Sequence, residues 1–97
     1  MALTFEWDHA KAEANQRKHQ VSFGEARTVF GDPHARITAD DKHSEGESRG
    51  QIIGLSDHHR ILVVAYTERG VAIRIITARK AEPAEKRRYE KICDKNQ

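Results

Sequence analysis

The stretch from Ile61 to Lys80 constrains the fold of this chain more than any other. Two runs of β-branched and apolar residues meet at Glu68-Arg69-Gly70, and a Gly in a short polar break between such runs predicts a hairpin, because Gly accepts the positive φ of a tight turn. With Arg69-Gly70 as a two-residue loop, Glu68 faces Val71, Tyr66 faces Ile73, Val64 faces Ile75 and Arg74 lies across from Ala65, on the side away from Tyr66. A three-residue loop with a bulge gives other pairings, and the residues allow both. Arg74 stands amid Ala72, Ile73, Ile75 and Ile76. A guanidinium stays charged and is costly to bury alone, so this one calls for a carboxylate partner, a sheet edge or a water-filled cleft.

The flanking segments read as follows. Phe5-Glu6-Trp7 alternates and predicts a first strand, with Trp7 either anchoring the next helix in the core or offering a stacking surface to a nucleobase. Asp8 caps a helix to about Lys18 or His19, whose apolar stripe is Ala10 and Ala14. Val21 to Ala26 predicts a second helix start: Ser22 and Glu25 form a reciprocal capping box, Val21 packs on Ala26, and Phe23, Ala26, Val29 and Phe30 face inward until Gly31-Asp32-Pro33 stops the helix. Ala35 to Ala39 and Gln51 to Leu55 read as strands, separated by a polar loop from Asp40 to Gly50. A last helix starts at Glu82-Pro83-Ala84-Glu85 and runs to about Cys93, with Ala81, Ala84 or Glu85, Tyr89 and Ile92 facing the sheet. The order implies one α+β domain over residues 1–97: an antiparallel sheet of about five strands, with two N-terminal helices and one C-terminal helix packed on it.

At 97 residues the chain can support one modest core. Its net charge is only +2, but from Arg69 to Lys91 there are eight Lys or Arg against three Glu, whereas Asp40 to Glu47 is acidic. Such clustering suits a phosphate-bearing partner, and equally a solvated helix face. Cys93 is the only cysteine, so no intrachain disulfide forms, and no signal peptide or spanning apolar run is present; a cytoplasmic setting without membrane contact is expected. Cys93 is assigned to packing at most.

Six histidines occur without metal-ligand spacing, and no Gly-rich phosphate loop exists, so no metal and no cofactor is called for. The positive groups Arg69, Arg74, Arg79 and Lys80, with Glu68 and His19 as proton carriers, match the needs of RNA cleavage. A base takes the 2′-hydroxyl proton, cations stabilise the pentavalent phosphorus, and an acid protonates the departing 5′-oxygen. The same set could also bind phosphate and cut nothing. Lys18, Arg87 and Arg88 are further candidates for RNA contact.

Phe5-Glu6-Trp7-Asp8, Lys11, Asn15, Lys18-His19, Val21-Ser22-Phe23, Ala26 and Asp32-Pro33 resemble the N-terminal half of the BrnT toxin family. Its second half is similar to Glu47-x-Arg49, Ile53 to Ser56, Leu62-Val63-Val64, Tyr66-Thr67, Arg69, Ile73 to Ile76, Ala78 to Ala81 and Glu85 to Tyr89. The resemblance implies a RelE-like fold and a translation-inhibiting ribonuclease acting on RNA, ribosome-associated mRNA included. It also implies neutralisation by a BrnA-like antitoxin, through which alone the complex would reach operator DNA. Carried onto this chain, it favours Arg69, Arg74, Arg79 and Lys80 as the RNA-contacting and transition-state-stabilising set. Cleavage by these groups requires that the β-ribbon display its cations in one shared, water-accessible hollow. Glu68, ahead of His19, is the candidate base or acid; His19 could instead cap the first helix. The alternative is a binding module, or degenerate toxin, that docks RNA or antitoxin and acts in operon autoregulation. The chain departs from the family at Gln20, where a helix-ending Gly is usual, at Gly50, where a larger residue is usual, and at Thr77, where Ser is common.

Overall fold

The structure, a computed structural model, describes residues 4–39 and 48–95. The elements run β1 (Thr4–Glu6), α1 (His9–His19), α2 (Phe23–Thr28) with a 3-10 turn (Val29–Gly31), β2 (Arg36–Ala39), β3 (Ser48–Leu55), β4 (Ile61–Arg69), β5 (Ala72–Lys80) and α3 (Pro83–Lys95). They build one five-stranded sheet in the order β1-β5-β4-β3-β2. β2 to β5 form an antiparallel meander, while β1 lies parallel to β5 at the edge, which makes the sheet mixed. A parallel neighbour needs a long crossover, and everything from α1 to β4 supplies it. β3 begins at Ser48, so the end of the expected polar loop is strand; the rest of that loop, 40–47, lies outside the described residues.

Local chemistry sets the helix ends. The Lys11 N–H donates to Asp8 Oδ1 at 3.0 Å, and α1 closes on Gln20 in the left-handed region, φ 59°. Ser22 Oγ accepts from the Glu25 N–H at 3.0 Å, but the expected return bond from Glu25 is not made, because its carboxylate turns to Arg60 instead. The expected stripe on α1 also differs. Ala10 and Ala14 are exposed, while Ala12 is half-buried and Asn15 is buried. The Asn15 amide donates to the carbonyls of Val21 and Ala78, each at 2.9 Å, and its Oδ1 accepts from the Ala78 N–H at 3.1 Å. β1 pairs only with Ala72 to Arg74, so Asn15 takes over as edge partner for β5 where β1 is absent.

The core lies between the helical pair and one side of the sheet: Val21, Phe23, Ala26 and Val29 against Ile52, Leu62, Val64, Tyr66, Ile75 and Ala78. Trp7 is half-buried and meets Phe23 edge-on at 6.0 Å, as an anchor would. Phe30 bridges Phe5 and Tyr66, with ring centroids 5.1 and 5.2 Å apart. Gly50 leaves room for this cluster: a Cβ there would lie 2.8 Å from the Tyr66 hydroxyl.

α2 is fastened to the β3–β4 turn by an ion pair under the helix. The Glu25 side chain is only 2% exposed; it accepts from Arg60 Nε at 2.9 Å, from Arg60 Nη2 and from Ser56 Oγ at 2.7 Å. The Arg60 bonds come first among the causes holding its carboxyl below the usual range, against the opposing effect of burial.

Candidate nucleic-acid interface

Side chains alternate along a strand, so the sheet has a helix-pair face and an opposite face on which α3 packs. On β4, Leu62, Val64 and Tyr66 point to the core, which sends Val63, Ala65 and Thr67 to the α3 face. The hairpin loop is Gly70-Val71, not Arg69-Gly70: Arg69 pairs with Ala72, Glu68 with Ile73, Thr67 with Arg74 and Tyr66 with Ile75. Gly70 carries the positive φ, 58°. The expected register is wrong by an even number of residues, so Arg74 still emerges opposite Tyr66.

A bulge follows. Tyr66 pairs with Ile75 but Ala65 with Thr77, which leaves Ile76 without a partner in the ladder. Residues 74 and 79 are an odd number apart and would leave a regular strand on opposite faces. The extra residue restores Arg79 to the α3 face, across from Val63.

At the α3 end, Arg79 Nη1 and Nη2 donate to the two Glu85 oxygens at 2.8 and 3.0 Å. The Glu82 N–H also donates to Glu85 at 2.8 Å. Led by Arg79, these contacts bring the Glu85 pKa down to about 2. Beside the pair lies a hollow of about 330 Å³ lined by Arg36, Thr38, Gln51, Ile53, Val63, Glu85, Arg88 and Tyr89. Of the residues expected to face the sheet from α3, Glu85 and Tyr89 do so and Ala84 is exposed; the side chains of Ile92 and Cys93 lie outside the described residues.

At the hairpin end, Arg74 faces β1. Its Nη1 donates to Glu6 Oε2 at 3.1 Å, with the two side chains 30% and 41% exposed. Among the described residues this is the only hydrogen-bond partner of Arg74, so Nε and Nη2 remain able to donate. The register continues across the sheet as Glu6, Arg74, Thr67 and Arg49, one residue from each of four strands on one face. Arg69, also on this face, is exposed beside the turn.

The proposed cations therefore do not meet in one hollow. Arg74 and Arg79 are separated by roughly 15 Å of strand at about 3.3 Å per residue, and each faces its own glutamate. Lys80 pairs with Leu62 and so leaves on the helix-pair face, and Glu68 pairs with Ile73, on the face opposite Arg74. His19 is half-buried at the end of α1; Lys18, Arg87 and Arg88 are exposed, with Arg88 at the α3 hollow. The carboxylate that the fold does bring to Arg74 is Glu6. Its position between Phe5 and Trp7 signals a side chain turned from the core, but nothing local reveals that β1 pairs with β5. Among the described residues no three His, Cys, Asp or Glu side chains gather as metal ligands, and no helix is long and apolar enough to cross a membrane.

The family described as the ribonuclease toxin BrnT of type II toxin-antitoxin systems matches residues 7–85. The crystal structure of the Brucella abortus ribonuclease toxin BrnT superposes with a TM-score of 0.64 at 21% identity, covering 84% of this chain and 99% of that one. It shares the fold. No curated protein sequence matches significantly.

Proposed function

The chain belongs to the BrnT family of ribonuclease toxins of type II toxin-antitoxin systems, and on that premise we propose that it is an endoribonuclease cutting RNA by 2′-hydroxyl attack, with Arg74 at the reacting phosphate. What supports this reading is the Arg74–Glu6 pair: a permanent cation with donors to spare beside a carboxylate, both partly open to water. Glu6 takes the 2′-hydroxyl proton as the oxygen closes on phosphorus, and Arg74 stabilises the charge gathering on the phosphoryl oxygens. Arginine supplies the positive charge, so the step needs no metal. Arg69 and, along the same face, Arg88 contact flanking phosphates. Arg79 acts as a positioning residue, holding α3 through Glu85. As the bond from phosphorus to the 5′-oxygen breaks, His19 remains the candidate to protonate that oxygen, since Glu68 leaves on the face opposite Arg74 and cannot serve there. Lys18, Lys80 and Arg87 remain the alternatives for outer RNA contacts. A BrnA-like antitoxin is the expected inhibitor, with operator DNA reached only through it.

Induced expression of the isolated chain, with sequencing of RNA ends, tests this. New ends and growth arrest should appear with wild type and vanish with Arg74→Gln. Absence of new ends from folded wild type would leave the binding-module reading, in which the same variant lowers only RNA affinity and its salt dependence.

A further inference from the structure

The cross-strand row holds one group that the reading above leaves unused. Thr67 is 2% exposed, and its Oγ1 is buried without any hydrogen-bond partner among the described residues. A buried hydroxyl normally finds a partner, so an orphan calls for an explanation, and a ligand added at this face is one. Its neighbours in register on the same face are Arg49 on β3 and Arg74 on β5, one strand spacing to either side. Arg49 is exposed, and Arg74 keeps donors not taken by Glu6. Both flanking groups are long side chains that leave the same face as Thr67.

We propose that Arg49, Thr67 and Arg74 form a seat for one backbone phosphate of RNA. The seat rests on the reading that this chain acts on RNA, and adds two residues to it. Its donors suit a phosphate better than a carboxylate. Two guanidinium groups and a hydroxyl lie in a row spanning about 10 Å at the strand spacing, and the two long arginine side chains have the reach to bend toward one tetrahedral group that offers several oxygens. A carboxylate is satisfied by one arginine fork and leaves the hydroxyl orphaned. Glu6 closes the row on the β1 side and takes one Arg74 nitrogen, which leaves the others for the seat.

The test uses the full chain and two short RNAs of one sequence. One is unmodified, to follow cleavage; the other is 2′-O-methylated throughout, so that it binds without being cut. Thr67→Val keeps the shape and removes the hydroxyl, and should weaken binding of the uncleavable strand roughly tenfold, the loss expected for a hydrogen bond to a charged group. The same change should leave the urea midpoint unchanged or raised, since it deletes an unsatisfied polar atom. A merely structural threonine would not give that opposition. Thr67→Ser should restore binding. Arg49→Gln should also cost about tenfold, and lower the slope of affinity against salt by about 0.7, one phosphate contact on a single strand.

Wild-type affinity in both Thr67→Val and Arg49→Gln overturns the seat, and if wild type still cleaves, the nuclease reading stands without it. Wild type that binds but does not cut, with weakened variants, keeps the seat and removes the nuclease. Wild type that does neither overturns both. Intact RNA affinity with weakened capture of the cognate antitoxin assigns the row to the protein partner and also overturns the seat.

Discussion

Arg74 and Arg79 leave the same strand on the same face, each opposite a glutamate, yet the two pairs are built differently. Arg79 presents its fork to both oxygens of Glu85, which is also held by the Glu82 N–H, so both carboxylate oxygens and both terminal guanidinium nitrogens have partners within the fold. Arg74 gives one nitrogen to Glu6 across a parallel edge strand only three residues long. The first arrangement fixes a helix to a sheet. The second holds a cation in place while leaving most of its bonding capacity to a ligand, which is what a residue meeting a phosphate requires.

The sharpest way to break this contrast is to neutralise each arginine in turn. Arg74→Gln should lower RNA cleavage by roughly 10² to 10³, the loss expected for one transition-state donor, with little change in stability. Arg79→Gln should alter cleavage less than tenfold, since any effect must pass through the placement of α3. Initial rates on one oligonucleotide decide it, and equal losses would erase the distinction. Next in size is a third pair that extends the locked class. Glu25→Ala leaves Arg60 and Ser56 without their buried acceptor and should cost about 3 kcal/mol in urea unfolding, the low end for a broken buried pair because Arg60 is one-third exposed. Cleavage per folded molecule should be unaffected.

What could be read in advance divides along the same line. Asp8, Ser22 and the end of α1 were legible because a cap depends on residues within one turn of each other. The departure at Gln20 costs the chain a left-handed non-Gly residue and nothing more visible. The face on which Arg74 emerges was legible too, although the loop was misplaced, because alternation tolerates an even slip. The bulge at Ile76 was not legible. It depends on how β5 fits both the core at Ile75 and Ala78 and the α3 side at Arg79, and no residue in Ile75-Ile76-Thr77 announces it. Glu25 reaching Arg60, Asn15 reaching Ala78 and Glu6 reaching Arg74 join residues 35, 63 and 68 positions apart, so a local capping or stripe rule fails there by construction. The polar stretch before Gln51 concealed Arg49, because charged residues on a strand end look like loop.

The smallest effect sharpens the comparison through pH. Glu85 has its pKa brought down to about 2 in the folded protein, from 4.5 in the ordinary state, with Arg79 as the leading cause. A depressed carboxylate pKa stabilises the fold above the unfolded value, and that contribution fades as pH falls through the folded one, here from about 4.5 toward about 2. The pair is partly screened by water, so its share at neutral pH is set at about 1 kcal/mol. Wild type should therefore exceed Arg79→Gln in stability by about that amount at pH 7, with the gap narrowing below pH 4.5 as Glu85 takes up its proton in the variant first. Comparing the two proteins cancels the titration of the other carboxylates. Urea midpoints measured from pH 7 to pH 3 give the curve. A gap that stays flat across that range would mean that Arg79 is held no more firmly than Arg74, and the division of β5 into a locked end and an open end would fail.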